Sequence, residues 1–442
     1  MNLNSARLPL LSSATGPVAW WQRQLISGEV FLSHVNQVAQ YLPHRRFAVN
    51  LCDDRYLFMV AFAAVITQGR TNLLPPSRVK REIQDIIDAY PDHFCMTDAD
   101  VKQWLMAGNL NYPQDYPQTV PEIVAAHTAA IVFTSGSTGR AQPHPKQWGS
   151  LVSGARLAQG RFGFGKEAGT TIVATVPPQH MYGLETSIMV PLMAGLSVHS
   201  GRPFFPEDIR ELLASIPAPR ILIITPAHLR VCVKANIHWP SLAFIISATA
   251  PLSTALAAQT EHVFAAPVFE IYGFTEAGSI ASRRTVAGDL WQLYEGLRIS
   301  EGYVYGAHLP EPVKLNDNVE LHGETTFKLL SRQQDLVNIA GKRTSLSYLN
   351  RVLNEIEGVE DGVFVMPEDT AERTTRLVAL VVAPQVNEQH ILAALAECVD
   401  AVFLPRPLFK VAQLPRNETG KLPRGALLEL LNTLKKSAVD QR

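Results

Sequence analysis

The chain has 442 residues, of which 47% are hydrophobic and 18% charged, and its formal net charge is −1. This is ordinary globular composition, too apolar for a disordered chain. A near-neutral surface offers no field to attract a polyanion, so nucleic acid is excluded as a main partner and any bound anion must be gripped locally.

At about 150 residues per domain the length calls for two or three units. The four cysteines, Cys52, Cys95, Cys232 and Cys398, stand singly, with no CxxC pair and no histidine at ligand spacing, which argues against a disulfide framework and a zinc site. The first residues lack the charged and then apolar pattern of a secretory leader. The most hydrophobic run, residues 56–66, is well short of the ~20 residues a membrane helix needs. The expectation is a soluble cytoplasmic protein with no membrane partner.

In chain order, residues 47–52 read as a buried strand, Asp54 as a helix cap, and residues 56–67 as a helix ending at Gly69. Residues 71–74 are a second strand, Ser77 caps a helix over 79–89, and residues 93–96 are a third strand. This βαβαβ order predicts a parallel, doubly wound sheet, which binds ligands at the carboxyl ends of its strands. The alternation continues with a helix over 151–159 and strands over 171–176, 221–224, 244–247 and 268–271. Beyond about residue 330, helices over 346–356 and 390–399 and strands over 362–366 and 376–383 read as a separate α+β unit of ordinary domain size.

The densest chemistry lies between residues 129 and 146. An apolar strand, residues 129–133, runs into Thr134-Ser135-Gly136-Ser137-Thr138-Gly139, followed by the basic Arg140 and Lys146. Glycine lets the backbone approach an anion, while N–H groups and hydroxyls supply neutral donors, so the loop reads as a phosphate grip. It is not a Walker A loop, because the sixth position from Gly136 is Ala141 and from Gly139 is His144. Gly163 to Gly169 has the wrong spacing for a dinucleotide fingerprint, and no G-x-S-x-G elbow supports a hydrolase serine.

Thr134 to Gly139 resembles the Thr-Ser-Gly-Ser/Thr-Thr-Gly signature of the adenylate-forming superfamily: acyl-CoA synthetases, peptide-synthetase adenylation domains and luciferases. Five further motifs follow in that family's order. They are Pro178-Gln-His180-Met181-Tyr182-Gly183, Ile246-Ser247-Ala248-Thr249-Ala250-Pro251, Glu270-Ile-Tyr272-Gly273-Phe274-Thr275-Glu276, Ser331-Arg332-Gln-Gln-Asp335 with Gly341-Lys-Arg343, and Asn417-Glu-Thr-Gly420-Lys421. The loop departs from the signature after Gly139, where Lys146 arrives late behind a Pro-His-Pro segment.

The resemblance implies an α/β fold: a large N-terminal domain of doubly wound, mostly parallel sheets over residues 1–331, and a small mobile C-terminal α+β domain over 332–442. It implies ATP and Mg²⁺ as cofactors, joining of a small carboxylic acid to the α-phosphate, and displacement of AMP by the thiol of CoA or phosphopantetheine. On it, residues 134–139 clamp the β- and γ-phosphates, Thr275 bonds the α-phosphate, and Glu276 holds the metal. Ser247, Ala248 and Glu270 belong to the nucleotide side, Tyr272 stacks on adenine, and Gly273 lets the backbone approach it. Asp317 and Arg332 take the ribose, and Lys421 swings in to neutralise the reacting groups. His180 gates the acyl pocket and Gly341 lines the thiol tunnel.

Several of these positions carry a plainer alternative: Asp317 as a turn residue, His180 as a packed histidine, Gly341 as a turn glycine. The hinge falls on Gln334 or Asp335. The acyl pocket is expected from a helix over 182–193, the 248–251 loop and residues after Phe274, with Met181, Met189 and Met193 giving an apolar cavity.

The strings Pro143-His144-Pro145-Lys146, Asn338-Ile-Ala-Gly341 and Phe403-Leu-Pro-Arg406-Pro look like the compact ligases of aryl-polyene and xanthomonadin-type pigment pathways. That resemblance implies an aromatic acid, of hydroxybenzoate or hydroxycinnamate type, and an acyl carrier protein as partner. A fatty acyl-CoA synthetase and a catalytically silent nucleotide-binding homologue are the alternatives.

Overall fold

The computed structural model describes residues 6–107, 119–135, 141–332, 336–339, 342–367, 376–417 and 420–440. The chain divides into two compact units, Met1–Val313 with Glu324–Thr326, and Lys314–Gly323 with Phe327–Arg442. Among the described residues no helix is long and apolar enough to cross a membrane.

The first unit is built on two sheets. One has the order His93–Met96, Phe47–Asn50, Thr71–Leu74, Thr128–Ser135, Ala141–Gln147, parallel except for its last strand. The other has a parallel centre made of Val268–Phe274, Phe244–Ser247, Arg220–Ile224, Thr171–Ala174, Ser197–His199 and Pro17–Trp21. Strands Gly278–Arg284 and Gln24–Ser27 close this centre with antiparallel pairs. Leu222, Ile224 and Ile245 pack on Leu213, Leu229 and Phe264 of the covering helices.

The helix Arg55–Thr67 is buried at every position from Arg55 to Ile66. A helix apolar on all sides belongs inside a domain, and this one starts where Asp54 accepts from the Leu57 N–H at 3.0 Å.

Several elements differ from the sequence reading, and four of the differences have a local reason. The Pro-His-Pro segment is no loop: Ala141–Gln147 returns antiparallel to Thr128–Ser135, with Thr134 opposite Gln142 and Ala130 opposite Lys146. It is the edge strand of its sheet, where Pro143 and Pro145 forfeit no ladder bond.

The expected helix over 182–193 is broken into Met181–Leu184, a π-helical turn Glu185–Met189, and Val190–Ala194. The Thr186 and Ser187 hydroxyls donate to the carbonyls of Tyr182 and Gly183, each at 2.6 Å. They occupy acceptors that the helix ladder would use, and π turns of this kind gather at functional sites.

Strand Val268–Phe274 runs three residues past its expected end, into a hairpin with Gly278–Arg284. Ser77 does not cap its helix, which begins at Lys80; its hydroxyl donates to Glu82 at 2.6 Å instead.

Gly183 shows how tightly this region is drawn together, because a Cβ there would lie 1.9 Å from the Pro177 carbonyl oxygen. Backbone on both sides leaves nothing to yield. Gly183→Ala should therefore cost more than about 3 kcal/mol, read as a fall in the denaturant midpoint.

The second unit carries two hairpins, Asp317–Leu321 with residues 327–332 and Leu336–Ile339 with Lys342–Ser345. They precede a three-stranded sheet of Asp361–Val365, Val378–Val382 and Leu408–Lys410. One face of that sheet packs on helices Leu346–Glu355 and Glu388–Cys398, through Leu349, Leu353, Ile391 and Leu395. The other covers Leu427 and Leu431 of helix Arg424–Asp440.

Candidate active site

The hydroxyl-rich strand end and the Thr275–Glu276 turn lie beside each other in the first unit. Thr134 Oγ1 lies 3.0 Å from His144 Nε2, and His144 Nδ1 lies 3.9 Å from Glu276 Oε1. His144 thus links the first hydroxyl of the phosphate loop to the carboxylate expected to hold the metal. Burial lowers its pKa, the Glu276 charge opposes that shift, and the Lys146 charge adds to it. Of the clamp itself, the side chain of Ser135 and all of Gly136, Ser137, Thr138 and Gly139 lie outside the described residues.

Lys146 is only 6% exposed, and its Nζ donates to the Glu276 carbonyl at 2.9 Å. Burial pushes the ammonium pKa down to about 8, against the pull of the Glu185 and Glu276 charges. Its register opposite Ala130 puts it well down the returning strand, away from the loop tip and beneath the Glu276 turn.

Thr275 and Glu276 form the turn between Val268–Phe274 and Gly278–Arg284, and the Glu276 side chain is 42% exposed. Gly273 sits at an irregularity of this hairpin, where a Cβ would lie 2.3 Å from the Gly278 carbonyl oxygen. The returning strand alone therefore demands a glycine there.

Tyr272 is half-buried, with its ring 5.7 Å from Trp291. Glu270 was expected among the nucleotide contacts, but its carboxylate is turned into the fold. Oε1 accepts from the Leu252 N–H at 2.8 Å, and Oε2 accepts from Arg283 Nη2 at 2.6 Å and Thr285 Oγ1 at 2.7 Å. At 3% exposed it anchors the 248–252 loop through Leu252. Ser247 ends its strand fully buried, its Oγ without a partner among the described residues, and Ala248 follows at 8% exposed.

His180 stands at the N-terminal cap position of Met181–Leu184, with its carbonyl accepting from the Leu184 N–H at 2.7 Å. Two buried groups hold this segment. Tyr182 Oη lies 3.2 Å from the Ile224 carbonyl and 2.9 Å from the Ile246 carbonyl, spanning two strand ends. Arg55, fully buried, donates through Nη2 to the carbonyls of Ala174 at 2.9 Å and Val176 at 2.8 Å, and through Nη1 to Ser187 Oγ. Burial lowers its pKa to about 9.

Arg55→Met would strand those acceptors out of water, at about 1–3 kcal/mol each. The relief of burying no cation offsets part of this, so about 3 kcal/mol of destabilisation is expected by denaturant melt.

The remaining expected residues belong to the second unit. Asp317 and Arg332, fifteen positions apart in sequence, are directly opposite in the register of their hairpin. The side chain of Arg332 and the whole of Gln334, Asp335 and Gly341 lie outside the described residues. Lys421 follows Gly420 (φ +77°) in a loop where its N–H donates to Asn417 Oδ1 at 2.9 Å and its carbonyl accepts from Asn417 N–H at 2.8 Å. Arg416 ties the loop down, pairing with Asp361 at 2.6 Å and donating to the Gly420 carbonyl at 2.6 Å.

Sequence reasoning missed His144, Glu185, Arg55 and His308, and left Lys146 without a place. Among the described residues no group of three or more His, Cys, Asp or Glu is arranged to hold a metal. A hard cation that bridges phosphates needs only one or two carboxylates, and the half-exposed Glu276 offers one.

A hydroxyl and a buried cation from one sheet meet a carboxylate at a hairpin turn of the other, an arrangement suited to stabilising charge on a bound anion. The chain matches the AMP-binding enzyme family over residues 39–296, more than half its length. It belongs to that family, and it is an adenylate-forming acid–thiol ligase.

It is 29% identical to a 4-coumarate–CoA ligase of Halorhodospira halophila, over 67% of this chain and 75% of that one. It is 23% identical to a 2-succinylbenzoate–CoA ligase of Staphylococcus epidermidis, over 67% and 68%. Among solved structures, ATP-bound MatB of Rhodopseudomonas palustris superposes with a TM-score of 0.80 at 18% identity, over 97% of this chain and 99% of that one. The o-succinylbenzoate CoA synthetase MenE of Bacillus subtilis, with its acyl-adenylate, gives 0.79 at 16% identity, over 96% and 98%. At these identities the structural likeness establishes the fold.

Proposed function

We propose that the protein uses Mg-ATP to activate an aromatic carboxylic acid, of hydroxybenzoate or hydroxycinnamate type, and passes the acyl group to a phosphopantetheine thiol. The observation that carries the reading is the Glu276 turn, held by Lys146 through its carbonyl and faced by His144 and Thr134.

In the first step a carboxylate oxygen attacks the α-phosphorus, the bond to the pyrophosphate oxygen breaks, and pyrophosphate leaves. Little covalent chemistry falls to the protein, so the work is positioning and charge stabilisation. Residues 134–139 take the β- and γ-phosphates and Thr275 the α-phosphate. Tyr272, Gly273, Ser247 and Ala248 border the adenine, with Glu270 anchoring their loop. Asp317 and Arg332 take the ribose, the carboxylate accepting from its hydroxyls. Glu276 would hold Mg²⁺, which would supply positive charge against the phosphates. Lys421 supplies a point charge on a flexible stem between the carboxylate and the α-phosphate. Residues 332–442 act as the mobile domain that brings Lys421 in and then withdraws it.

In the second step the thiolate attacks the acyl carbonyl and AMP departs with the bonding electrons, with His180 at the mouth of the acyl pocket. The relatives named as CoA ligases support CoA as one acceptor; a holo acyl carrier protein presents the same thiol. The test compares the two acceptors across aryl, fatty and amino acids. Aryl acids are expected to lead, and turnover of fatty acids alone would overturn the aromatic assignment.

A further inference from the structure

A cleft in the first unit is lined by Lys146, Leu151, Met181, Glu185, Glu276 and His308 among others. It draws on two of the three segments expected to build the acid pocket, the turn and helix after His180 and the residues after Phe274. Yet its floor is polar.

Glu185 begins the π turn, and its Oε2 accepts from Ser279 Oγ at 2.6 Å while the Ser279 N–H lies 3.2 Å from both oxygens. Gly278 admits the carboxylate, since a Cβ there would lie 2.3 Å from Glu185 Oε1. A carboxylate has about four acceptor sites, so Glu185 keeps capacity to spare. Lys146 has three donors and gives one to the Glu276 carbonyl. The two charges attract each other, yet among the described residues no direct ion pair joins them.

His308 supplies a second sign of an unfilled polar site. Its Nε2 lies 3.1 Å from the Ala277 carbonyl, which can only accept, so Nε2 carries the proton and Nδ1 offers a lone pair. Nδ1 is buried without a partner among the described residues, in a side chain 6% exposed. A buried acceptor left alone costs about 1–3 kcal/mol.

The occupant can be narrowed by charge. A second carboxylate would meet Glu185 and Glu276, and an ammonium would meet Lys146. A neutral group that both accepts and donates suits this set.

Resting on the aryl-acid reading above, we propose that this cleft is a polar corner of the acid pocket. There a ring hydroxyl accepts from Lys146 Nζ and donates to Glu185, making these two residues the determinants of preference for hydroxylated aryl acids.

The experiment measures kcat/KM for acid-dependent pyrophosphate release with 4-hydroxycinnamate against cinnamate, and 4-hydroxybenzoate against benzoate. It uses the full chain and its Lys146→Met and Glu185→Gln variants, the latter preserving shape. The parent should favour the hydroxylated acid by at least about tenfold, since sites built to bond a hydroxyl reject its absence strongly. Both variants should bring the ratio to within about threefold of unity. Lys146→Met also loosens Glu276, so absolute rates fall for every acid and the ratio is the readout.

Equal losses on both members of each pair, with the ratio unchanged, would overturn the proposal and leave the cluster as a support for Glu276. A parent active on aryl acids without hydroxyl preference would overturn it too, leaving the aryl-acid reading intact. A parent that activates only non-aromatic acids would remove both.

Discussion

Lys421→Ala should reduce acid-dependent pyrophosphate release by at least about 10²–10³-fold, with KM for ATP changed far less. In the proposed function the loss falls on kcat, because the ammonium meets its partners only as charge develops between carboxylate and α-phosphate. Stability should not move, since Lys421 is exposed and its loop is held by its own backbone, by Asn417 and by Arg416 on Asp361. Thioester formation from a supplied acyl-adenylate should survive the substitution. Equal loss of both half-reactions would place Lys421 in general support of the domain. Unaltered pyrophosphate release would remove it from the chemistry.

Glu276→Gln should cost about 10²-fold in kcat and move the Mg²⁺ dependence to higher concentration. The amide keeps the volume and leaves the backbone carbonyl on which Lys146 rests, so the turn should persist. What disappears is the charge, which serves the metal in the proposed function and opposes the burial shift on His144. With that opposition gone, His144 should titrate at lower pH, visible in its ring NMR signals. A variant with full activity at the parent's Mg²⁺ requirement would place the metal elsewhere.

Local order was legible because it rests on local signals. Strands Thr71–Leu74, His93–Met96 and Phe244–Ser247 have the bounds expected from their apolar runs between turn residues, and Asp54 caps where its pattern says. What stayed hidden depends on pairings distant in sequence. Lys146 meets Glu276 across 130 positions, and Arg55 meets Ser187 across 132. Two prolines disguised an edge strand as a loop, and with it the reason Lys146 arrives so late.

Glu185 was lost inside a methionine-rich run read as an apolar cavity; its meaning appears only once Gly278 and Ser279 fold against it. The motifs named the turn at Thr275–Glu276. The network around it, His144, Lys146, Glu185 and His308, comes from strand register and burial.

This chain converts a carboxylic acid into an acyl-adenylate. The most direct measurement is exchange of labelled pyrophosphate into ATP by the purified full chain with Mg²⁺, across a panel of aryl, fatty and amino acids. Exchange should require an added acid, be fastest with hydroxylated aryl acids, and be lost in Lys421→Ala. No acid-dependent exchange with any member of the panel, from a folded protein that binds ATP, would contradict it.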